Sequence, residues 1–266
     1  MKIENNTINI ERKDQTIFFS LNRPEVHNAM NEEMIAELTT AFNSINDEVD
    51  VRVVVLRGNG KSFCAGADLN YMKSIAGFGL EENIEDGKKL AALFKSIYDC
   101  PIPTIAIVHG AAFGGANGLL AACDFVIAQE NSIFAFSEVK LGIAPATIAP
   151  FVIKRIGEFG AKELMLTGKK FDAITAAKWK LVNNVCAENN MEETLNELLK
   201  QFISSAPVAV MHTKVLIKNI LNARIEDSIE YTSNLIANLR ASNEGQEGMT
   251  AFLEKRKPKW MMGSDE

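Results

Sequence analysis

The residues able to do chemistry are concentrated between Val108 and Glu138, in VHGAAFGGANGLLAACDFVIAQENSIFAFSE, which joins backbone donors to a lone carboxylate. Gly114 and Gly115 precede a small-residue apolar stretch, Ala116 to Ala122, which predicts a short buried helix. The leading amides of a helix have no internal partner, and glycine lets a ligand approach them closely, so this end suits an enolate or oxyanion. Glu138 follows with apolar neighbours. Burial among them would raise its pKa and make it a base able to take a proton beside a carbonyl. The competing reading is an ordinary loop glutamate in solvent.

These groups need a frame, and the pattern supplies one. Pro101 to Val108 (PIPTIAIV) predicts a buried strand, His109-Gly110 a turn, and Asp124 to Ala128 and Ile133 to Phe136 further strands. Upstream, Ile3 to Ile10 and Thr16 to Leu21 form an opening hairpin across polar residues 11–15. Asn31 caps a helix with Met34, Leu38, Phe42 and Ile45 on its packed face, and Val51 to Leu56 is a parallel-type strand. A short helix over Asn70 to Ser74 and a longer one from about Glu81 to Cys100-Pro101 follow, the latter packing through Leu90, Leu93, Phe94 and Ile97. Tyr71, Met72 and Phe113 are candidates either for a pocket or for the core. Beyond Glu138, a helix over Thr147 to Ile156 carries Pro150 in its first turn and is stopped by Gly157; short helices cover Ala161 to Thr167 and Ala173 to Trp179. From Met191 the pattern is helical near 191–204, 207–221, 225–241 and 244–254. This divides the chain into a core over 1–190 and a helical assembly region over 191–266.

Composition narrows the function classes. The 266 residues are 47% apolar, enough for a sizeable α/β core, and the net charge of −6 is spread along the chain, which makes nucleic acid an unsuitable main partner. Cys64, Cys100, Cys123 and Cys186 are widely spaced and form no ligand pattern with His27, His109 and His212, so reduced thiols and no metal site are expected. The polar amino terminus and the lack of an apolar run near about 18 residues predict a cytoplasmic protein with no membrane span. Gly60-Lys61-Ser62 imitates the end of a phosphate-binding loop, but the first glycine such a loop requires would fall on Val55.

VHGAAFGGANG, the CDF that follows, SEVKLGIAP and the upstream FCAGADL together resemble the crotonase (enoyl-CoA hydratase/isomerase) superfamily along the whole chain. The resemblance implies an α/β spiral of repeated ββα units with a carboxy-terminal helical region mediating trimers or hexamers. It implies that the amides of Gly115 and Ala67 hold a thioester oxygen, each such donor being worth about 10²–10³ in rate. Glu138 matches one of the family's two glutamates, while the other falls on Gly118. The same resemblance places coenzyme A against Arg23 and Val26 of LNRPEVHNA, against Ala65, Ala67, Asp68 and Leu69, and against Gly115. Phe252 and Lys255, in the EGM-x-AF-x-EKR tail, would approach it from a neighbouring subunit; the bland reading of that tail is a basic helix end favoured by its dipole.

Residues 137–157 look most like bacterial methylglutaconyl-CoA hydratases of leucine breakdown, a subgroup that also has glycine at the first glutamate position. The implied reaction is hydration of a 2-enoyl-CoA, with no metal or redox cofactor and coenzyme A as part of the substrate. A 3,2-enoyl-CoA isomerase with one glutamate is the alternative, and an RNA-binding module on the same fold is disfavoured by the acidic balance. A carboxylate restored at position 118 is expected to speed hydration of a plain substrate.

Overall fold

The computed structural model describes residues 6–48, 50–221 and 223–261. The chain opens with β1 (Ile8–Lys13) and β2 (Thr16–Leu21), then α1 (Glu32–Asn43), β3 (Val53–Gly58), α2 (Leu69–Ile75) and α3 (Leu80–Asp99). Next come β4 (Thr104–Val108), β5 (Ala111–Phe113), α4 (Ala116–Ala122), β6 (Phe125–Gln129) and β7 (Ile133–Ala135). Then follow α5 (Ala149–Met165), β8 (Lys170–Asp172), α6 (Ala173–Lys178) and β9 (Asn184–Cys186). The tail is α7 (Met191–Ser204), α8 (Pro207–Ile220), α9 (Ile225–Ala241) and α10 (Asn243–Leu253).

The strands form two layers. The larger sheet runs β1-β2-β3-β4-β6-β9, parallel apart from the opening hairpin, and the smaller runs β5-β7-β8. Each turn of the chain leaves a strand in the large sheet, crosses to the small layer, and returns through helix. That repetition is the ββα spiral, and it arises without any repeat in the sequence. Isolated parallel bridges, Met30 to Ala67 and Cys64 to Ala112, extend the small layer back to the first turns.

Both faces of the central strands β2, β3, β4 and β6 are covered, which is why they read as largely apolar runs, whereas β1 is exposed and polar. Val54, Leu56, Ala106 and Val108 face a core filled by Met34, Leu38, Phe94, Leu119 and Val152 from the helices. Val53, Val55, Ile105 and Ile107 face the other way, onto Leu195 and Leu199 of α7. The division expected at residue 190 therefore cuts packed structure: α7 closes the second face of the sheet. Beyond it, α8 and α9 contain no buried residue. They are tied by polar contacts instead. Lys214 Nζ reaches Asp124 Oδ2 at 2.6 Å, and the Glu244 carboxylate accepts from the Val208 and Ala209 amides at 3.1 and 2.9 Å. Among the described residues no helix is long and apolar enough to cross a membrane.

Several expectations shift. Part of the first strand lies outside the described residues, and β1 continues through the polar residues to Lys13, turning at Asp14 with φ 52°. The strand expected over Val51 to Leu56 is displaced to Val53–Gly58. β5, β8 and β9, three residues each, were not anticipated because so short a segment displays no period. Gly157, non-helical at φ 74° and ψ 167°, stops the first segment of α5 as expected, and a second helical segment follows it directly to Met165. No helix follows Ser62; the chain enters the Cys64 bridge, which excludes a phosphate-binding loop.

The crossing from β4 to the small layer is made at Gly110, where φ is 58° and a Cβ would lie 2.2 Å from the Lys61 carbonyl oxygen. Gly110→Ala combines a disfavoured backbone with a clash against main chain. We expect it to cost about 1–3 kcal/mol in urea unfolding.

Candidate active site

The first wall of the site is built by the turn after β2. Asn28 is fully buried with φ 56°, its Oδ1 accepts from the Arg23 amide at 2.9 Å, and its Nδ2 donates to the Asn59 and Ser62 carbonyls at 2.8 Å each. This binds the 23–30 turn to the loop after β3. Met30 then donates to Gly66 O at 2.7 Å and accepts from the Asp68 amide at 2.9 Å. A parallel bridge of this kind bonds the residues on either side of Ala67, so the Ala67 N–H points away from Met30. Ala67 is exposed, and among the described residues its amide has no protein acceptor.

The second wall is the β5–α4 turn. Cys64 donates to Ala111 O at 3.0 Å and accepts from the Phe113 amide at 3.1 Å, so the 64–67 and 112–115 segments run side by side. Gly66 lies so close that a Cβ there would be 3.0 Å from Phe113 O, and a Cβ on Gly115 would be 2.7 Å from Met30 Cε. Met30 thus touches both segments. Gly114, at φ 54°, bends the chain so that the Gly115 amide is likewise without a protein acceptor among the described residues. The two backbone donors thus sit on segments linked by the Cys64–Ala112 bridge and by Met30.

Glu138 closes the third side. It begins a 3-10 turn, Glu138–Leu141, after β7, and its Oε1 would be 3.5 Å from a Cβ placed on Gly114. The residue is half-buried, and its buried Oε2 has no hydrogen-bond partner among the described residues. Burial raises its pKa above the ordinary glutamate value, only partly offset by a hydrogen bond from its own amide. The solvated-loop reading does not describe this environment. A carbonyl oxygen held by the two amides would place its α-carbon chemistry beside a carboxylate poised to accept a proton.

The position of the absent second glutamate is sealed. A Cβ on Gly118 would lie 2.3 Å from Ile148 Cγ2 and 2.8 Å from Phe94 Cε1, both side chains being fully buried. Restoring a carboxylate there by Gly118→Glu, expected to help hydration, is thus opposed by packing: the space belongs to two hydrocarbon side chains.

The residues expected to touch coenzyme A divide. Val26 and Ala65 are half-buried and Leu69 is exposed on the first turn of α2. Arg23 is turned inward, its Nη2 2.9 Å from Asp68 Oδ2 and its Nη1 donating to Ala29 O at 2.6 Å, so both of these groups are engaged within the protein. Asp68 is committed as the cap of α2, accepting from the Asn70 and Tyr71 amides at 2.7 and 3.1 Å. Burial alone would raise its pKa, but these bonds and Arg23 outweigh burial and hold it below the usual carboxylate range. Phe252 (83% exposed) and Lys255 stand at the end of α10, an element anchored through Glu244 to α8 and followed by Trp260, whose Nε1 donates to Ser204 O at 3.1 Å. Tyr71 is engaged with Asp86 of α3, and Phe113 lies under Lys170 Nζ at 5.5 Å.

Asn28, Met30, Asn117 and Ile148 belong to the site's framework but were not singled out from sequence. Asn117 had a signal, being the one polar residue in ANGLLAA.

A ββα spiral that brings two unpaired amides against a half-buried glutamate is the architecture of crotonase-fold enzymes. The chain belongs to the enoyl-CoA hydratase/isomerase family, whose model matches residues 11–263. It is 32% identical over 261 residues to the short-chain-enoyl-CoA hydratase of Clostridium acetobutylicum, covering 96% of this chain and 97% of that protein. It is 31% identical to the crotonyl-CoA hydratase of Syntrophomonas wolfei, covering 93% and 95% of the two chains. Among solved structures, an enoyl-CoA hydratase from Shewanella pealeana superposes with a TM-score of 0.93 at 35% identity, covering 97% of each chain.

Two predictions follow from this geometry. Because the folded pKa of Glu138 is raised, its contribution to stability is complete below the unfolded value and is lost as pH rises through the folded one. Glu138→Gln carries no such loss, so it should melt above the parent protein at pH 8, with the gap closing near about pH 4. Gly118→Ala should lower stability by about 1–3 kcal/mol through overpacking, and Gly118→Glu by more, with no gain in crotonyl-CoA hydration. Calorimetry and a hydration assay on the same preparations check both.

Proposed function

We propose that the protein adds water across the double bond of a 2-enoyl-CoA thioester. The observation carrying this reading is that, among the described residues, the buried Oε2 of Glu138 has no partner, Glu138 lies beside Gly114, and the Ala67 and Gly115 amides have no protein acceptor. The thioester oxygen accepts from the Ala67 and Gly115 N–H groups, which draws electron density from C3. Glu138 takes a proton from water as the water oxygen bonds to C3, and returns it to C2, so that one carboxylate is both base and acid. The relatives' names support a short acyl chain. Within that class we propose 3-methylglutaconyl-CoA, whose distal carboxylate would help order a water that has no acceptor at Gly118. A cytoplasmic trimer or hexamer completes the proposal: Ile217, Ile225, Ile229, Ile236 and Leu253 leave apolar surface for a second copy to cover.

A second reading rests on Gly118. With hydrocarbon where a second carboxylate would stand, Glu138 is also equipped to move a proton from C2 to C4 of a 3-enoyl-CoA. The test is a side-by-side assay of crotonyl-CoA, 3-methylglutaconyl-CoA and a 3-enoyl-CoA, following water addition and double-bond migration separately. Hydration should dominate and be faster for the branched substrate, and migration alone would replace the hydratase reading. Glu138→Gln should lower turnover by about 10²–10⁴ with coenzyme A binding retained. Ala67→Pro, which deletes one donor, should lower it by about 10²–10³ in protein shown to be folded.

A further inference from the structure

Asn117 is completely buried in α4 although its neighbours there are all apolar or glycine, and among the described residues its Oδ1 has no partner. A buried acceptor left unpaired is unfavourable, and a hydrocarbon side chain would avoid it, so packing does not account for this residue. Its other end is fully used. Nδ2 faces the carbonyls of Ala135 at 2.9 Å, Ala112 at 3.2 Å and Gly114 at 3.4 Å, a ring of acceptors that requires the amino group rather than the oxygen at that position.

These carbonyls are the supports of the site. Ala112 is the bridge partner of Cys64, three residues before Ala67. Ala135 ends β7, three residues before Glu138, and also accepts from the Gly114 amide at 2.8 Å. Gly114 O accepts in addition from the Asn117 backbone amide at 2.9 Å. The peptide between Gly114 and Gly115 is planar and trans, so its C=O and N–H point in opposite directions. Holding Gly114 O inward aims the Gly115 N–H outward. Each donor to that carbonyl also polarises the same peptide and strengthens its N–H as a donor.

We propose that Asn117 is a positioning residue that fixes the direction and donor strength of the Gly115 amide and its spacing from Glu138. This rests on the reading of Gly115 as a donor to the thioester oxygen. Removing the carboxamide leaves Gly114 O and Ala135 O each one backbone bond, so the fold should survive Asn117→Leu or, with a smaller side chain, Asn117→Ala. Either variant should lower kcat by about 10- to 100-fold with KM changed less than about threefold, because orientation rather than affinity is lost.

The decisive measurement uses Glu138→Gln protein, in which turnover is blocked, and the carbonyl infrared band of bound crotonyl-CoA labelled with ¹³C at C1. The band should shift to lower frequency on binding, and adding Asn117→Leu should remove at least about half of that shift at unchanged affinity. Asn117→Ser, which restores one short donor, should recover part of it. An undiminished shift in folded Asn117→Leu or Asn117→Ala protein overturns the role assigned to Asn117. Absence of any shift in the Glu138→Gln parent instead overturns the donor role of Gly115, and with it this inference.

Discussion

The site depends on a pair of hydrogen bonds made by one buried backbone. By donating to Gly66 and accepting from Asp68, Met30 occupies the groups on either side of Ala67 and leaves the Ala67 amide facing outward. Its side chain meanwhile reaches to within contact of Gly115, so the same residue sets the separation of the two donors. Much of the surrounding polar structure holds this arrangement. Asn28 fixes the turn that delivers Met30, and Arg23 and Asp68 tie that turn to the start of α2. Arg23 and Asp68 are thereby consumed in support, and the donors left on these segments are backbone amides. Backbone donors suit this task because they have no rotamers to reorganise as charge develops.

The same logic explains why glycine is needed where segments cross. At Gly114 the left-handed bend and the nearness of Glu138 Oε1 coincide, and at Gly110 a side chain would strike main chain. The small layer packs through stacked aromatic rings, Phe134 and Phe136 against Phe171, and leaves no room for a side chain at its crossings. Its short strands contribute few ladder bonds, but they set the spacing between loops that lie far apart in sequence. Stability comes mainly from the large sheet with its two apolar faces, so the site is carried by a frame that can absorb the cost of burying Glu138 without a partner.

Sequence made the large sheet and the helices legible because their periods are long enough to register. Met34, Leu38 and Phe42 at helical spacing, and the apolar runs through Val55 and Ile105, all lie where their pattern implies. Glu138 stood out by its apolar neighbours, and its burial agrees with them. What could not be read were the short strands β5, β8 and β9 and the destinations of polar side chains. Nothing in RPEVHNA distinguishes an arginine facing a ligand from one facing Asp68 across a turn. The packing of α7 was hidden for a related reason: α7 has the same helical pattern as α8, and only the sheet face it covers separates them.

Gly118 illustrates the limit from the other side. In sequence a glycine looks like empty space into which a carboxylate could be returned. In the fold that space is filled by Phe94 from α3 and Ile148 from the turn before α5, two elements that also pack against α4. Loss of a second acid is thus bound to the packing of three helices, and regaining it would require Phe94 and Ile148 to shrink together. A polar group added alone would be buried against hydrocarbon, where its charged form is strongly disfavoured. The proton chemistry of the site accordingly falls to Glu138, and the ordering of any water must come from the substrate or from the walls that Asn117 and Met30 hold in place.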